Sequence, residues 1–312
     1  MQVFRGLPAL TARHRPIALT LGNFDGVHRG HQAMLARLTE AAEDLALPSA
    51  VLTFDPHPRE FFEPGAAPPR LSTLRDKLER LAACGVTEVH IARFDAALAA
   101  MRPETFVDEV LEGRLETRWV LVGDDFRFGK GRSGDLAVLR RLATRFSVEA
   151  MPTVVVDGER ASSSAVRAAL AAGQFERATR LLGRPHAVTG RVAHGDKLGR
   201  KLGFPTANIV LRHASPLTGV FTVRVHGLGQ TSRAGVASVG VRPTVKADAK
   251  PLLEVFVFDF DEACYGRRVT VDFLHKLRDE ARYPDLDTLS RQIQADVLEA
   301  REYFAAGSTR NA

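Results

Sequence analysis

The stretch 22–31, GNFDGVHRGH, holds two imidazoles three residues apart and three glycines. Imidazoles can donate hydrogen bonds to a phosphoryl group as negative charge builds on it, and glycines let backbone amides approach a phosphate closely. The run lies between a short apolar segment, IALTL (17–21), and the amphipathic HQAMLARLTEAAEDL. His31 therefore falls in the first turn of a helix, where free amides and the helix dipole favour an anion. His28 and His31 are the candidate catalytic residues of a phosphate-binding turn built on Gly22, Asn23, Phe24, Asp25 and Gly26. A metal site would need a third ligand nearby, which is missing. A dinucleotide fingerprint is absent, since no G-x-G-x-x-G follows the strand.

Three other stretches carry reactive residue types. GERASSSAVR places Ser163, Ser164 and Arg167 at a helix start. Hydroxyls and a helix N-terminus suit a polyphosphate, and arginine pairs with it bidentately; plain capping by serine is the alternative. GDKLGRKLGFPTANI (195–209) is no P-loop, because G-x-x-x-x-G-K-[ST] is absent. Its Gly195, Gly199 and Gly203, with Lys197, Arg200 and Lys201, can still cradle phosphates. The Thr206 hydroxyl and the Asn208 carbonyl are hard oxygens suited to Mg²⁺; a basic hairpin loop is the alternative. Glu254 stands inside the apolar run LLEVFVFDF, where a carboxylate needs a partner or a function.

Two loops complete the set. In LTFDPHPREFF (52–62), Pro56 and Pro58 bracket His57 and stiffen the chain. Phe54, Phe61 and Phe62 offer a wall for a flat aromatic ring. VGDDFRFGKGRSGD (122–135) follows a later strand and contributes Asp125 and Arg127.

The elements that must hold these residues follow from periodicity. IALTL, AVLTF, EVHIARF, WVLVG and SVEAMP read as strands and alternate with helical patterns, among them TLRDKLERLAACG, RPETFVDEVLEG and DLAVLRRLATRF. That order predicts an α/β doubly wound parallel sheet. SSSAVRAALAAGQFERATRLLG reads as a further helix of this half. Beyond LLGRPHAVTG the pattern changes to period two: HAVTGRVA, GVFTVRV, AGVASVGV, LLEVFVFDF and RRVTVDFL, with no helix between them. Closely spaced short strands with glycine turns predict a small all-β barrel. LDTLSRQIQADVLEAREYF closes the chain as an amphipathic helix. The boundary is expected near Gly183–Pro185, giving domains 1–184 and 185–312.

Composition narrows the function classes. The 312 residues carry a net charge of +6, spread along the chain, with its densest cluster in 195–203. Compact basic clusters suit phosphorylated small molecules, so neither nucleic acid nor membrane is expected as a partner. A basic RNA-binding protein is the rival from another class. It would need exposed aromatics between basic residues on the strands, and the C-terminal half has no tryptophan. No apolar run approaches the ~20 residues that span a bilayer, and the N-terminus has no secretory pattern. The two cysteines, Cys84 and Cys264, lie far apart. A reducing cytoplasm is the expected compartment.

The turn H-R-G-H matches the H-x-G-H signature of nucleotidyltransferases, which join the α-phosphate of ATP to an acceptor and release pyrophosphate. ASSSAVR (161–167) resembles that family's I-S-S-T-x-I-R motif, with Ala161 for Ile, Ser164 for Thr and Val166 for Ile. Together with the loops at 52–62 and 122–135 and with the P-T-A-N of 205–208, the set resembles the bifunctional bacterial enzymes that make FMN and FAD from riboflavin, over nearly the whole chain. The resemblance implies a nucleotidyltransferase-type first domain whose turn residues 22–26, with Ser163, Ser164 and Arg167, bind ATP. Phe54, Pro56, His57, Pro58, Phe62, Asp125 and Arg127 then bind FMN. In the second domain it implies ATP binding by Gly195, Lys197, Gly199, Lys201, Gly203, Pro205, Thr206 and Asn208, with Thr206 and Asn208 on Mg²⁺. Glu254 becomes the base for the riboflavin 5′-hydroxyl and Arg278 a flavin residue. Two points depart or remain open. The family reads L-E-V-H where this chain has Phe256, and a salt bridge from Arg278 to Asp279 or Glu280 is the alternative to flavin binding. A single-activity flavokinase is the alternative within this family.

Overall fold

A computed structural model describes residues 1–8, 15–195, 199, 202–241 and 251–309. The chain forms two compact units, Met1–Pro68 with Leu74–Ser162, and Pro69–Thr73 with Ser163–Ala312.

In the first unit, strands β1 (Gln2–Arg5), β2 (Ile17–Leu21), β3 (Ser49–Asp55), β4 (Glu88–Arg93), β5 (Thr117–Gly123) and β6 (Ser147–Met151) make one sheet. All pairings are parallel, in the order β1-β4-β3-β2-β5-β6. All five residues of β2 are buried, as expected for a strand covered on both faces. The chain runs from β2 to β3 on one side, while β5 pairs on the other. The carboxyl ends of β2 and β5 thus flank the switch point where such sheets bind ligands. Helix α1 (Arg29–Asp44) packs Leu35, Leu38, Ala41 and Ala42 against Ala18, Val51 and Leu121 on one face. On the other face, Phe106, Val110 and Leu111 pack against Leu19, Leu52 and Val120.

Two details were not expected. β1 adds to the sheet edge beside β4. The helix expected in RPETFVDEVLEG is wound wide over Phe106–Arg114, a π-helix whose end donates from Leu115 N to Val110 O, five residues back, at 3.0 Å. The buried Glu112 carboxylate ties it to the loop before β6, accepting from the Thr144 and Arg145 amides, both at 2.9 Å.

The second unit begins with helices Ser163–Ala171 and Phe175–Leu182. The sequence reads them as one helix of the first half, but the chain turns at Gly173, φ +71°. Phe175 then packs edge-on against Phe221 of the barrel, centroids 5.6 Å apart. The compact units accordingly divide between Ser162 and Ser163. Arg167 Nε donates to Pro69 O at 2.7 Å, which binds the short segment Pro69–Thr73 to the same unit.

A two-stranded hairpin of β7 (Val155–Val156) and β8 (Glu159–Arg160) belongs to the first unit. The barrel strands of the second are β9 (His186–Arg191), β10 (Thr206–Val210), β11 (Gly219–His226), β12 (Arg233–Val241), β13 (Pro251–Val257) and β14 (Arg268–Arg278). They pair antiparallel in the order β10-β13-β12-β11-β14-β9. The two edges meet at a bridge between Ala193 and Asn208, where Ala193 N donates to Asn208 O at 2.8 Å. Leu253, Val255 and Val257 are buried, while Leu252, Glu254 and Phe256 face the other way, as period-two alternation requires. The terminal helix, Leu286–Thr309, lays Val297, Ala300 and Phe304 on Val220, Val236, Phe256 and Phe258. Among the described residues no helix is long and apolar enough to cross a membrane.

Charge secures the helix as well: Arg301 pairs with Asp259 at 2.9 Å, and a more buried pair joins Asp296 to the last strand. Arg278 Nε and Nη2 reach both oxygens of Asp296, at 2.8 and 2.7 Å. Asp296 is 3% exposed and also accepts from Gln292 Nε2 at 2.9 Å. Asp296→Ala removes the carboxylate from two guanidinium nitrogens of Arg278. We expect it to lower the stability of the second unit by about 2–4 kcal/mol, read as a lower denaturation midpoint, with Asp296→Asn losing less. An unchanged midpoint in Asp296→Ala would show that the pair does not dock the helix.

Candidate active sites

The turn after β2 places both histidines. Phe24 and Val27 adopt left-handed φ of 48° and 44°, and Gly26 lies at 81°. This tight reversal presents His28 as the N-cap of α1, with its Nδ1 accepting from the His31 amide at 3.4 Å. Because Nδ1 accepts, the neutral His28 ring carries its proton on Nε2. The two imidazoles stack with centroids 3.7 Å apart, and Phe24 tilts against His31 at 4.9 Å. Two rings this close cannot both be cationic at low cost. Burial pushes the His31 imidazole well below its ordinary range, and the charges of His28 and Lys77 add to that.

The turn is anchored to the neighbouring strand. Gly22 N donates to Leu52 O at 3.1 Å, and Thr53 Oγ1 donates to Asn23 O at 3.4 Å. The buried Asn23 Oδ1 and His31 Nδ1 have no hydrogen-bond partner. Native proteins rarely leave buried polar atoms unpaired, so such atoms mark a place for a ligand or water. Gly30 admits a close approach: a Cβ there would stand 3.0 Å from Ala161 O. The chain leading into the serine motif thus lies against the start of α1. Ser163 opens its helix and is half-buried, and Ser164 is exposed. Both belong with Arg167 to the second unit.

The loop after β3 carries the expected aromatic wall, with one addition. Phe54, Phe61 and Phe62 all pack edge-on around Phe94, at 5.6 to 5.8 Å. Phe62 remains 61% exposed, which leaves ring surface for a planar ligand. His57 caps the helix α2 (Pro58–Phe62), its Nδ1 accepting from Arg59 N at 3.1 Å, and the peptide before Pro56 is cis. Asp125 pairs with Arg160, and Arg127 pairs with Asp135 at 3.3 Å. Phe94 was missed because it ends a strand pattern and belongs to no motif.

In the second unit the register of the barrel aligns three expected residues. Asn208 on β10 lies opposite Glu254 on β13, Glu254 opposite Ser238 on β12, and Ser238 opposite Val220 on β11. Val220 in turn lies opposite Arg278, the last residue of β14. One transverse row therefore carries Asn208, Glu254, Ser238 and Arg278, spanning about 19 Å at ~4.8 Å per strand. Thr206 is next to the row on the same face, two residues before Asn208.

Asn208 is 6% exposed; its Nδ2 donates to Thr206 O at 3.2 Å, and its Oδ1 has no partner. Gly195 lies so close that a Cβ there would meet the Asn208 amide at 2.4 Å. Arg278 forms its ion pair with Asp296 rather than with Asp279 or Glu280; its Nη1 donates to the Asp279 backbone carbonyl at 3.0 Å, while the Asp279 carboxylate is held by Lys276. Burial and Glu254 push the Glu280 carboxyl up from its ordinary range, and Arg278 opposes that shift. Phe256 packs edge-on against Phe204 at 5.4 Å, giving the ring an apolar role where the family has histidine. Gly203 and Pro205 are exposed, and Gly199 O accepts from Phe204 N at 2.7 Å. Lys197, Arg200 and Lys201 lie outside the described residues. Ser238 was missed, since a serine in AGVASVGV has no local signal.

Comparison with known proteins finds two families along the chain. A model of the FAD synthetase family matches residues 10–165, and one of the riboflavin kinase family matches 182–304. The chain is 49% identical to a bifunctional riboflavin kinase/FMN adenylyltransferase of Pseudomonas fluorescens, over 99% of this chain and 100% of that one. It is 46% identical to the Escherichia coli K12 protein of the same description, over 97% and 98%. A solved structure described as a macrolide-efflux protein from Streptococcus pneumoniae aligns with a TM-score of 0.79 at 27% identity, covering 95% of this chain and 97% of that one.

The depressed His31 makes a prediction about pH. In the unfolded chain its imidazole titrates near the ordinary 6.5, whereas in the folded first unit it resists the proton. As pH falls below that value the unfolded state binds the proton first, so stability declines. The loss deepens toward pH 5.5. We expect His31→Asn to show a smaller fall in melting temperature between pH 8 and pH 5.5 than the parent. Equal falls in the two proteins would mean that His31 is readily protonated in the fold.

Proposed function

The chain belongs to the bifunctional riboflavin kinase/FMN adenylyltransferase family and carries both activities, and from that premise we propose how its residues divide the two reactions. Family models for both activities match, so the single-activity and RNA-binding alternatives fall away. We assign adenylyl transfer to residues 1–184 and phosphoryl transfer to residues 185–312, with ATP as the donor in each. The observation that carries this division is that the His28–His31 pair and the Asn208–Glu254 row belong to different compact units.

For adenylyl transfer, an oxygen of the FMN phosphate attacks the α-phosphorus of ATP and pyrophosphate leaves. No protein nucleophile is needed. His28 donates from Nε2 and His31 from its own ring to phosphoryl oxygens as charge builds. The amides of Gly22, Asn23, Phe24, Asp25 and Gly26 and the start of α1 receive the nucleotide. The triphosphate role of Ser163, Ser164 and Arg167 rests on their motif. Phe54, Pro56, His57, Pro58 and Phe62 face the isoalloxazine ring, and Asp125 and Arg127 hold the rest of FMN. Arg127 would have to leave Asp135, a weak, solvent-exposed pair.

For the kinase, the riboflavin 5′-oxygen attacks the γ-phosphorus of ATP, ADP leaves, and Glu254 takes the hydroxyl proton. Arg278, held by Asp296, orients the flavin. Gly195, Lys197, Gly199, Lys201, Gly203 and Pro205 form the phosphate loop. The orphaned Asn208 Oδ1, with the Thr206 hydroxyl nearby, fits a hard cation. Bound there, Mg²⁺ would neutralise phosphate charge; Thr206 and Asn208 are the residues that would hold it. The substrates are small molecules, so no nucleic acid or membrane is required, and two distant cysteines favour the reducing cytoplasm.

Two variants test the division. His28→Ala should lower FMN-to-FAD conversion by about 10²–10³ and leave riboflavin phosphorylation unchanged. Loss of both activities in a folded variant would overturn the assignment. Glu254→Gln should lower FMN formation by about 10²–10⁴, with FAD formation from supplied FMN intact. A large drop in melting temperature with near-normal turnover would make Glu254 structural.

A further inference from the structure

Helix α3 (Leu74–Ala83) buries a lysine that the mechanism above does not use. Lys77 follows Leu74 by three residues and precedes Leu81 by four, so it lies on the helix's apolar face. It is 7% exposed. A buried ammonium is costly unless it is hydrogen-bonded and has a task. Its Nζ donates to Thr53 Oγ1 at 3.3 Å, and Thr53, fully buried, donates on to the Asn23 carbonyl at 3.4 Å. The ammonium is thus wired to the backbone of the histidine turn.

We propose that Lys77 is a positioning residue for adenylyl transfer, whose anchored ammonium sets both the placement of the turn and the charge on the His28–His31 pair. The proposal rests on the reading of that turn as the adenylyl-transfer site. The charged groups acting on His31 are His28 from its own turn and Lys77 from α3. The buried carboxylates of those two elements are Asp25 and Asp76. With the lysine in place, the stacked rings face a nearby fixed positive charge, and burial already opposes protonation of His31. His31 then meets ATP neutral. A neutral donor gains most as the transferring phosphoryl group accumulates charge, whereas a cationic one grips the ground-state polyphosphate as well and gains less. The Thr53 link keeps Asn23 and the ring stack in register while this happens.

The test uses the full-length protein and three variants. Lys77→Met removes the charge, Lys77→Arg restores it, and Thr53→Val cuts only the link. Histidine NMR, with His31 assigned by its absence in His31→Asn, follows the imidazole. FMN-to-FAD conversion is measured against pH, and Trp119, the chain's single tryptophan, reports folding of the first unit. In Lys77→Met we expect His31 to titrate higher and the acid limb of the pH profile to move with it. The kcat should fall about 10–100-fold with a smaller change in KM for FMN. Riboflavin phosphorylation should not change. Lys77→Arg should recover the titration and most of the rate.

A folded Lys77→Met with an unmoved His31 titration and a kcat within twofold of the parent overturns the proposal. If Lys77→Met unfolds, Thr53→Val and Lys77→Arg decide: a normal pH profile and rate in Thr53→Val, or no recovery in a folded Lys77→Arg, overturns it equally. His31→Ala separates the two readings. If it still makes FAD, the site assignment fails. If it is inactive while Lys77→Met is normal, only the lysine's role fails.

Discussion

The chemistry of the first unit depends on a backbone reversal that two side-chain-bearing residues make in the left-handed region. Phe24 and Val27 hold φ of 48° and 44°, conformations that cost of order 1–3 kcal/mol each. Both side chains are 1% exposed, and burying each contributes about 1.5–3 kcal/mol. The strain is therefore offset locally by the core beneath the turn. What the reversal secures is direction. It brings the chain from a fully buried strand to the start of α1 within seven residues, with His28 capping the helix and His31 stacked on it.

The second unit reaches the same end through register. Its sheet closes where Ala193 bridges Asn208, so the residue that joins the two edges also belongs to the site. Once that bridge is set, antiparallel pairing leaves no freedom for Glu254 or Ser238. Each stands opposite its neighbour because a slip of one residue would turn Leu253 and Val255 out of the core. Arg278 joins the row at the far strand and is then held by Asp296 from the terminal helix. The clamp fixes the guanidinium and adds to the contacts that dock the helix.

Both sites share an electrostatic feature. Asn23 Oδ1, His31 Nδ1 and Asn208 Oδ1 are buried polar atoms without a partner, an expense a stable fold ordinarily avoids. They stand where phosphate or a cation is expected, one site offering imidazoles and the other a neutral amide oxygen. Permanent charge is kept nearby and anchored, on Lys77 in one unit and Arg278 in the other.

Short-range features were legible in the amino-acid order. The strand–turn–helix around His28 and His31, the serine-led helix start, the P-T-A-N turn and the period-two run around Glu254 each lie within about ten residues, the range over which periodicity and capping act. Longer-range outcomes were not. Phe94 joins the aromatic wall, Ser238 joins the row, and Asp296 rather than Asp279 or Glu280 takes Arg278. Helix 163–171 packs with the barrel because Phe175 finds Phe221 after the turn at Gly173. Local hydrogen bonding and side-chain alternation decide what each segment becomes. Which segments meet is decided by strand register and core packing between residues tens of positions apart, and that pairing exists only in the folded chain.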